Sequence, residues 1–181
     1  NGPVRVFGGK VIVGHGGADF TPLRGFVTAY DAATGKRLWR FYTVPGDEPN
    51  AGGIKADELM RASWPGGWTR PDGSRRGGGG TAWNAFSYDP DTRSVLVGVG
   101  NGSPWNHKAR SQGKGDNLFL ASIVALDGDT GRYKWHYQVN PGETWDFGAT
   151  MDMQFADLRI AGRLRKVLMT VPKNGFFYVI D

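Results

Sequence analysis

Residues 29–39 read AYDAATGKRLW, and residues 125–135 repeat the same pattern as ALDGDTGRYKW. Both fit A-x-D-x-x-T-G-x-x-x-W, and each lies between two runs of β-forming residues. The pattern predicts the turn of a β-hairpin, because Asp and Thr side chains bond turn backbone and Gly accepts a positive φ. The Trp then lies on the second strand, where it is a large group available for packing.

A single hairpin of this kind cannot bury its own apolar face, whereas stacked copies can. A weaker copy covers residues 87–92, and Asp181 falls where Asp31 and Asp127 fall in the repeats. The repeats therefore predict an all-β chain of about two to three blades of a β-propeller. Propellers usually have four to eight blades, so this chain is expected to supply part of a ring. Residues 45–80, rich in Pro and Gly, are predicted as a loop insertion with a short helix at 55–62.

Composition argues against several classes of function. The 29 glycines and 13% aromatic residues are typical of short strands and tight turns. The formal net charge of +5 is spread among acidic residues, which argues against a nucleic-acid partner. No run of 18 apolar residues predicts a transmembrane segment, and the sequence contains no cysteine for disulfide or thiolate chemistry.

The stretches between the repeats resemble the methanol/ethanol family of pyrroloquinoline quinone (PQQ)-dependent alcohol dehydrogenases. The repeat itself also occurs in non-catalytic propellers, but GNGSPWN followed by WD at this distance is much more specific. The matching stretches are VIVGHGGAD (11–19), RFYTVPG (40–46), GTAW (80–83), GVGNGSPWN (98–106), ETWDF (143–147) and PKNG (172–175).

This resemblance implies an eight-bladed propeller with PQQ near its axis, beside Ca²⁺ or, in some members, a lanthanide. Residues 1–181 would form part of that domain, as an internal piece that is inactive by itself. The family oxidises a primary alcohol to an aldehyde in the periplasm and passes the electrons to a cytochrome c or a membrane quinone. Any haem c group is expected outside the stretch that this chain covers.

The resemblance also assigns a base and metal ligands. Asp146 matches the catalytic base, which also contacts the metal, and Asn101 matches an amide ligand of the metal. From the residues alone, both are explained as turn residues. Asp19 matches a metal-binding position that is usually Glu, and the shorter side chain puts metal binding in doubt.

Six further residues match positions that contact PQQ in the family. Trp83 would form the floor beneath the quinone, and Lys173 would hydrogen-bond a quinone oxygen. On the residues alone, Trp83 is a core Trp and Lys173 a solvated turn Lys. The full set of expected cofactor contacts is Gly16, Gly17, Ala18, Thr81, Trp83 and Lys173.

Two other hypotheses stay open at this point. A non-catalytic Trp-docked scaffold or assembly protein would need the repeats but not Asn101, Asp146 and Lys173 together. A family member inactivated by the change at Asp19 would keep the fold without the metal. If the metal is present, calcium is expected, since lanthanide-using members carry an additional Asp two residues after the base and this chain has Gly148 there.

Overall fold

The computed structural model describes residues 2–17, 23–74, 77–84 and 86–181. The first sheet in this part of the chain has four antiparallel strands in sequence order. Its strands are β1 (Arg5–Phe7), β2 (Lys10–Gly14), β3 (Phe26–Asp31) and β4 (Arg37–Tyr42). An antiparallel meander of this kind is the blade of a β-propeller.

The segment after the first sheet contains helix α1 (Ile54–Ser63) and the short strand β5 (Gly78–Gly79). The helix confirms the one predicted at 55–62. Ala56 and Met60 lie four residues apart on one helix face and are buried in the same apolar cluster as Phe41 of the first sheet. Neither this helix nor any other in the described ranges is long and apolar enough to cross a membrane.

The second sheet is interrupted by an excursion of the chain. Its strands are β6 (Phe86–Asp89), β7 (Ser94–Gly98), β9 (Ser122–Asp127) and β10 (Tyr133–Gln138). The excursion between β7 and β9 holds β8 (Gly102–Ser103), which pairs with β5, and α2 (His107–Ser111). The strands still pair antiparallel in the order β6-β7-β9-β10.

The third sheet has three antiparallel strands in the described residues. They are β11 (Gln154–Ile160), β12 (Arg163–Thr170) and β13 (Tyr178–Ile180). Two four-stranded sheets and one three-stranded sheet confirm the prediction of two to three blades.

The second sheet lies between the other two, as strand β7 shows. All five of its residues are buried. Val95 and Val97 belong to the apolar cluster shared with the first sheet, while Leu96 belongs to the cluster shared with the third. Because side chains alternate along a strand, one strand thus contributes to the packing on both faces of its sheet.

The two A-x-D-x-x-T-G-x-x-x-W repeats form the same turn, as predicted. Asp31 Oδ1 accepts hydrogen bonds of 2.7–3.1 Å from two backbone N–H groups and from the Thr34 hydroxyl. Asp127 Oδ1 makes the equivalent bonds, including the Thr130 hydroxyl, at 2.8–3.2 Å. The glycine after each Thr has a φ of 72°.

The weaker copy at 87–92 is also a hairpin, formed by β6 and β7. Asp89 accepts hydrogen bonds from the Thr92 hydroxyl and the Asp91 N–H. Arg93 takes the positive φ, 52°, that glycine takes in the two full repeats. The Asp and Thr therefore form this kind of turn even without the glycine.

The tryptophans of the two repeats differ in their surroundings. Trp39 is 5% exposed, and its indole N–H donates to the Gly128 carbonyl of the second repeat at 3.2 Å. Its ring covers Gly131, where an added Cβ would lie 2.7 Å from the indole. Trp135, at the equivalent position, is 39% exposed.

Candidate functional site

The predicted site residues occupy equivalent places in the three sheets. Some of these residues follow the second strand of a sheet, which is β2, β7 or β12. The others precede the first strand of a sheet, which is β6 or β11. Because the sheets repeat one strand order, these strand ends are expected on one side of the stack. The residues after β2, β7 and β12 are Gly16, Gly17, Asn101 and Lys173, and those before β6 and β11 are Thr81, Trp83 and Asp146.

The segment before β6 contacts the segment after β7. Gly100 N–H donates to the Thr81 carbonyl at 2.9 Å. An added Cβ at Gly100 would lie 2.8 Å from that same carbonyl and 3.7 Å from Trp83 Nε1. Glycine at position 100 thus lets the backbone beside Asn101 approach Thr81 and the half-buried Trp83.

The segment before β11 contacts the same strand end. An added Cβ at Gly148 would lie 3.2 Å from the Gly100 Cα and 3.6 Å from the Asn101 N. Ala149 N–H donates to the Val99 carbonyl at 2.9 Å. The turn that carries Asp146 therefore packs directly on the backbone that carries Asn101.

Lys173 pairs with Asp146. Its Nζ lies 3.2 Å from the Asp146 carbonyl oxygen and 3.4 Å from Oδ2. The side chains are 42% and 49% exposed, so an exposed ion pair of this kind adds little stability. Asp146 itself has a φ of 63°, an uncommon conformation for a residue other than glycine.

The segment after β2 lies beside the segment before β6. An added Cβ at Gly14 would lie 1.7 Å from the Ala82 carbonyl oxygen, so only glycine allows this approach. Gly16 and Gly17 follow after His15, and Gly17 has a φ of 103°. Ala18 and Asp19 lie outside the described residues, so the change from the usual Glu has no structural account.

The donor set matches a hard cation and a flat cofactor. Asn101 and Asp146 offer amide and carboxylate oxygens, which suit Ca²⁺ better than a soft metal. Within residues 2–17, 23–74, 77–84 and 86–181, no three or more His, Cys, Asp or Glu side chains are grouped so that they could hold a metal ion by themselves. The half-buried indole of Trp83 is a flat surface of the kind that stacks on a planar ring.

Two buried charged residues next to these segments had no predicted role. Glu143 and Arg110 are both fully buried. Burial lowers the pKa of Arg110 to about 10, partly offset by the nearby negative charge of Glu143, so the guanidinium stays cationic at neutral pH. Glu143 stands three residues before Asp146, in a stretch that carries the family resemblance. That position was the one feature of the sequence that could have pointed to a role for Glu143. Arg110 had no such feature.

Comparison with known proteins gives one family throughout. The family model described as the β-propeller domain of PQQ-dependent glucose, ethanol and alcohol dehydrogenases matches residues 1–181. A quinohemoprotein alcohol dehydrogenase of Pseudomonas putida, ADH-IIG, is 57% identical over 99% of this chain, which corresponds to 24% of that protein. The dehydrogenase subunit of alcohol dehydrogenase (quinone) from Gluconobacter oxydans is 50% identical over 100% of the chain and 24% of its own length.

Solved structures agree. The quinohemoprotein alcohol dehydrogenase of Comamonas testosteroni matches with a TM-score of 0.89 and 51% identity, over 99% of this chain and 26% of that one. A europium-containing methanol dehydrogenase matches with a TM-score of 0.79 and 33% identity, over 99% of this chain and 31% of that one. The chain spans about a quarter of the length of the relatives that it matches.

Proposed function

Since the chain belongs to the β-propeller family of PQQ-dependent glucose, ethanol and alcohol dehydrogenases, we propose that the full-length protein oxidises a primary alcohol to an aldehyde with bound PQQ and a metal ion. Residues 1–181 would be part of one eight-bladed propeller domain, with residues 45–80 as an insertion. The chain covers about a quarter of its relatives, so the activity belongs to the longer protein.

One observation supports the proposal above all: the turn that carries Asp146 packs on the backbone that carries Asn101, and Lys173 pairs with Asp146. Gly148, two residues after Asp146, packs on the backbone of Gly100 and Asn101. Lys173 Nζ lies 3.4 Å from Asp146 Oδ2. A scaffold propeller has no need of these three groups together, whereas a PQQ-dependent alcohol dehydrogenase would use them as a base, a metal ligand and a cation.

Each residue has a defined task in this scheme. When bound, PQQ supplies the two-electron acceptor, so that alcohol and quinone become aldehyde and quinol. The Asp146 carboxylate would take the hydroxyl proton of the alcohol. The Lys173 ammonium, which lies beside that carboxylate, would hydrogen-bond a quinone oxygen and stabilise the negative charge that develops there. Trp83 offers its indole face to the flat cofactor, and Thr81 and the small residues Gly16, Gly17 and Ala18 form its remaining surroundings.

Calcium is the metal that we propose, held by Asn101, Asp146 and Asp19. A lanthanide would favour a further carboxylate at position 148, and a Cβ there would lie 3.2 Å from the Gly100 Cα. That separation is tighter than an ordinary van der Waals contact, so the backbone would have to shift before an Asp fitted. The nearest alternative acid, Asp152, is exposed, and its carbonyl accepts the Thr170 hydroxyl at 2.9 Å.

The electron acceptor would be a cytochrome c or a membrane quinone. Relatives named quinohemoprotein alcohol dehydrogenase support a haem-linked route, and relatives named alcohol dehydrogenase (quinone) support a quinone route. We place the protein in the periplasm, in keeping with the family that it belongs to.

The decisive experiment compares full-length wild type with Asp146→Asn after reconstitution with PQQ and Ca²⁺. Asn has nearly the same shape as Asp but does not accept the proton, so alcohol-dependent dye reduction should fall ~10²–10⁴-fold. PQQ should remain bound, as measured by its absorbance after gel filtration. A variant that keeps more than half of the activity would remove Asp146 from the mechanism. An inactive wild type would favour a non-catalytic scaffold propeller or a family member inactivated by the change at Asp19.

The metal assignment is tested on the same protein after metal removal. Reconstitution with PQQ and Ca²⁺ should give higher activity than reconstitution with PQQ and La³⁺. Stronger activity with La³⁺ would overturn the assignment of calcium and make Asp152 the candidate for the additional carboxylate ligand. Failure to bind either ion, measured by elemental analysis, would point to loss of the metal through Asp19.

A further inference from the structure

Glu143 connects the two segments that carry Asn101 and Asp146. Its Oε2 accepts a hydrogen bond from the Gly102 N–H at 3.3 Å, and its Oε1 accepts one from the Phe147 N–H at 3.0 Å. Gly102 directly follows Asn101, and Phe147 directly follows Asp146. One buried carboxylate therefore ties together the two backbone positions next to the proposed metal ligands.

Arg110 fixes the backbone of Glu143 rather than its carboxylate. Its Nη2 donates to the Glu143 carbonyl at 2.5 Å, and its Nη1 donates to the Pro104 and Trp105 carbonyls at 2.8 Å each. Gly102 lies on the guanidinium group, where an added Cβ would be 2.2 Å from Nη1. One fully buried cation thus holds the backbone at Glu143 and packs against Gly102, whose N–H the Glu143 carboxylate binds.

The two hydrogen bonds explain why a carboxylate is needed. Each of its oxygens faces one N–H donor, and both donors are satisfied at once. A glutamine of the same shape would present its NH₂ group to one of the two donors and lose that bond. The Phe147 bond also acts next to Asp146, whose positive φ persists only where surrounding contacts fix it.

We propose that Glu143 is a positioning residue that sets the distance between the Asn101 amide and the Asp146 carboxylate, so that both serve one metal ion. The inference rests on the proposed function above. Removing a residue that orients a metal ligand typically lowers metal affinity or activity 10–100-fold. A purely structural Glu143 would change the amount of folded protein and leave the affinity of the folded fraction unaltered.

The test uses full-length protein carrying Glu143→Gln, purified as the folded fraction by gel filtration. Ca²⁺ is titrated into the metal-free protein with PQQ, and binding is followed by PQQ absorbance. The expected result is a Kd for Ca²⁺ raised about 10–100-fold, with kcat lowered at saturating Ca²⁺ and KM for the alcohol unchanged. Glu58→Gln, an exposed residue of α1, makes the same charge change and should match wild type.

Glu143→Asp is the second variant, because it keeps the charge but is one methylene too short to reach both N–H groups. A wild-type Kd for Ca²⁺ in either folded variant would overturn the proposal. Failure of both variants to fold would also overturn it, by assigning Glu143 to the stability of the fold. A wild type that binds neither PQQ nor Ca²⁺ would instead defeat the proposed function itself.

Discussion

The repeats at 29–39 and 125–135 share a turn but differ in what their tryptophans contact. Asp31 and Asp127 accept the same set of hydrogen bonds, and the two glycines have the same φ. Trp39 is buried on the turn of the second repeat, whereas Trp135 is 39% exposed. The eleven residues therefore determine the turn by themselves, but burial of the Trp depends on the next sheet.

The contacts of Trp39 indicate where Trp135 would find its partner. Trp39 contacts Gly128 and Gly131, one and four positions after Asp127 at the end of β9. Asp181 stands at the equivalent place, directly after β13. By this equivalence, we expect the turn that receives Trp135 to begin at Asp181.

The largest expected effect comes from removing the tryptophans in the full-length protein. Trp39→Ala should lower the free energy of unfolding by about 3–5 kcal/mol, because a large buried ring is lost. Trp135→Ala should cost about the same there, since its docking turn would then be present. Urea unfolding followed by circular dichroism measures both.

Leu38→Ala provides the control, because Leu38 is the exposed neighbour of Trp39 in the same strand. Its effect should stay within about 0.5 kcal/mol, as for most surface substitutions. If Trp135→Ala lowers the free energy of unfolding as little as this control, then Trp135 does not pack on the next sheet in the way that Trp39 does.

A smaller effect should come from the glycine beneath Trp39. Gly131→Ala forces an alanine into a positive φ and also pushes its Cβ to 2.7 Å from the indole. Gly162→Ala, at the β11–β12 turn, imposes the backbone strain alone, because no atom lies within 4 Å of its added Cβ. Strain of this kind costs about 1–2 kcal/mol.

Overpacking at Gly131 should add about 1–3 kcal/mol to that cost. The comparison is made by urea unfolding of the two full-length variants. Equal losses would show that Trp39 moves aside freely, and the docking contact would then contribute little to the fold.

The same division between local and distant information explains what the sequence could predict. The repeats, the hairpin at 87–92 and helix α1 were all predicted, since turn residues and periodicity act within a few positions. Arg93 at a positive φ was not, because that conformation follows from the Asp89–Thr92 turn around it.

For the candidate site, the family resemblance selected Asn101, Asp146 and Lys173. The fold packs the Asp146 turn on the Asn101 backbone and pairs Lys173 with Asp146. The roles of these residues stay predictions.

Glu143 and Arg110 were missed because most of their partners are backbone N–H and carbonyl groups, which no side-chain motif reveals. The side-chain partner of Arg110, Asn117, lies in the same excursion without any recognisable motif. A buried charge paired with backbone is recognisable only once the three-dimensional contacts are known.

The two shared turns also hold their aspartates in the same electrostatic state. The Thr34 hydroxyl and two backbone N–H groups hold the pKa of Asp31 below the ordinary value for an aspartic acid. The pKa of Asp127 is lowered as well, since partial burial, which raises it, is outweighed by the Thr130 hydroxyl and backbone N–H bonds. Each carboxylate is therefore stabilised by the turn that it forms.

The smallest expected effect is the dependence of this shared turn on pH. A carboxyl whose pKa is lower in the folded state stabilises the fold above its unfolded pKa, and this contribution is lost as pH falls through the folded pKa. Asp31→Asn and Asp127→Asn should therefore each reduce, by similar amounts, the loss of stability as pH falls below the ordinary aspartate pKa. Urea unfolding of each full-length variant across the acidic range measures this. Unequal responses would contradict a turn set by its own hydrogen bonds alone, and would point to the surroundings of Asp127, namely its partial burial and its ion pair with Lys134 at 3.7 Å.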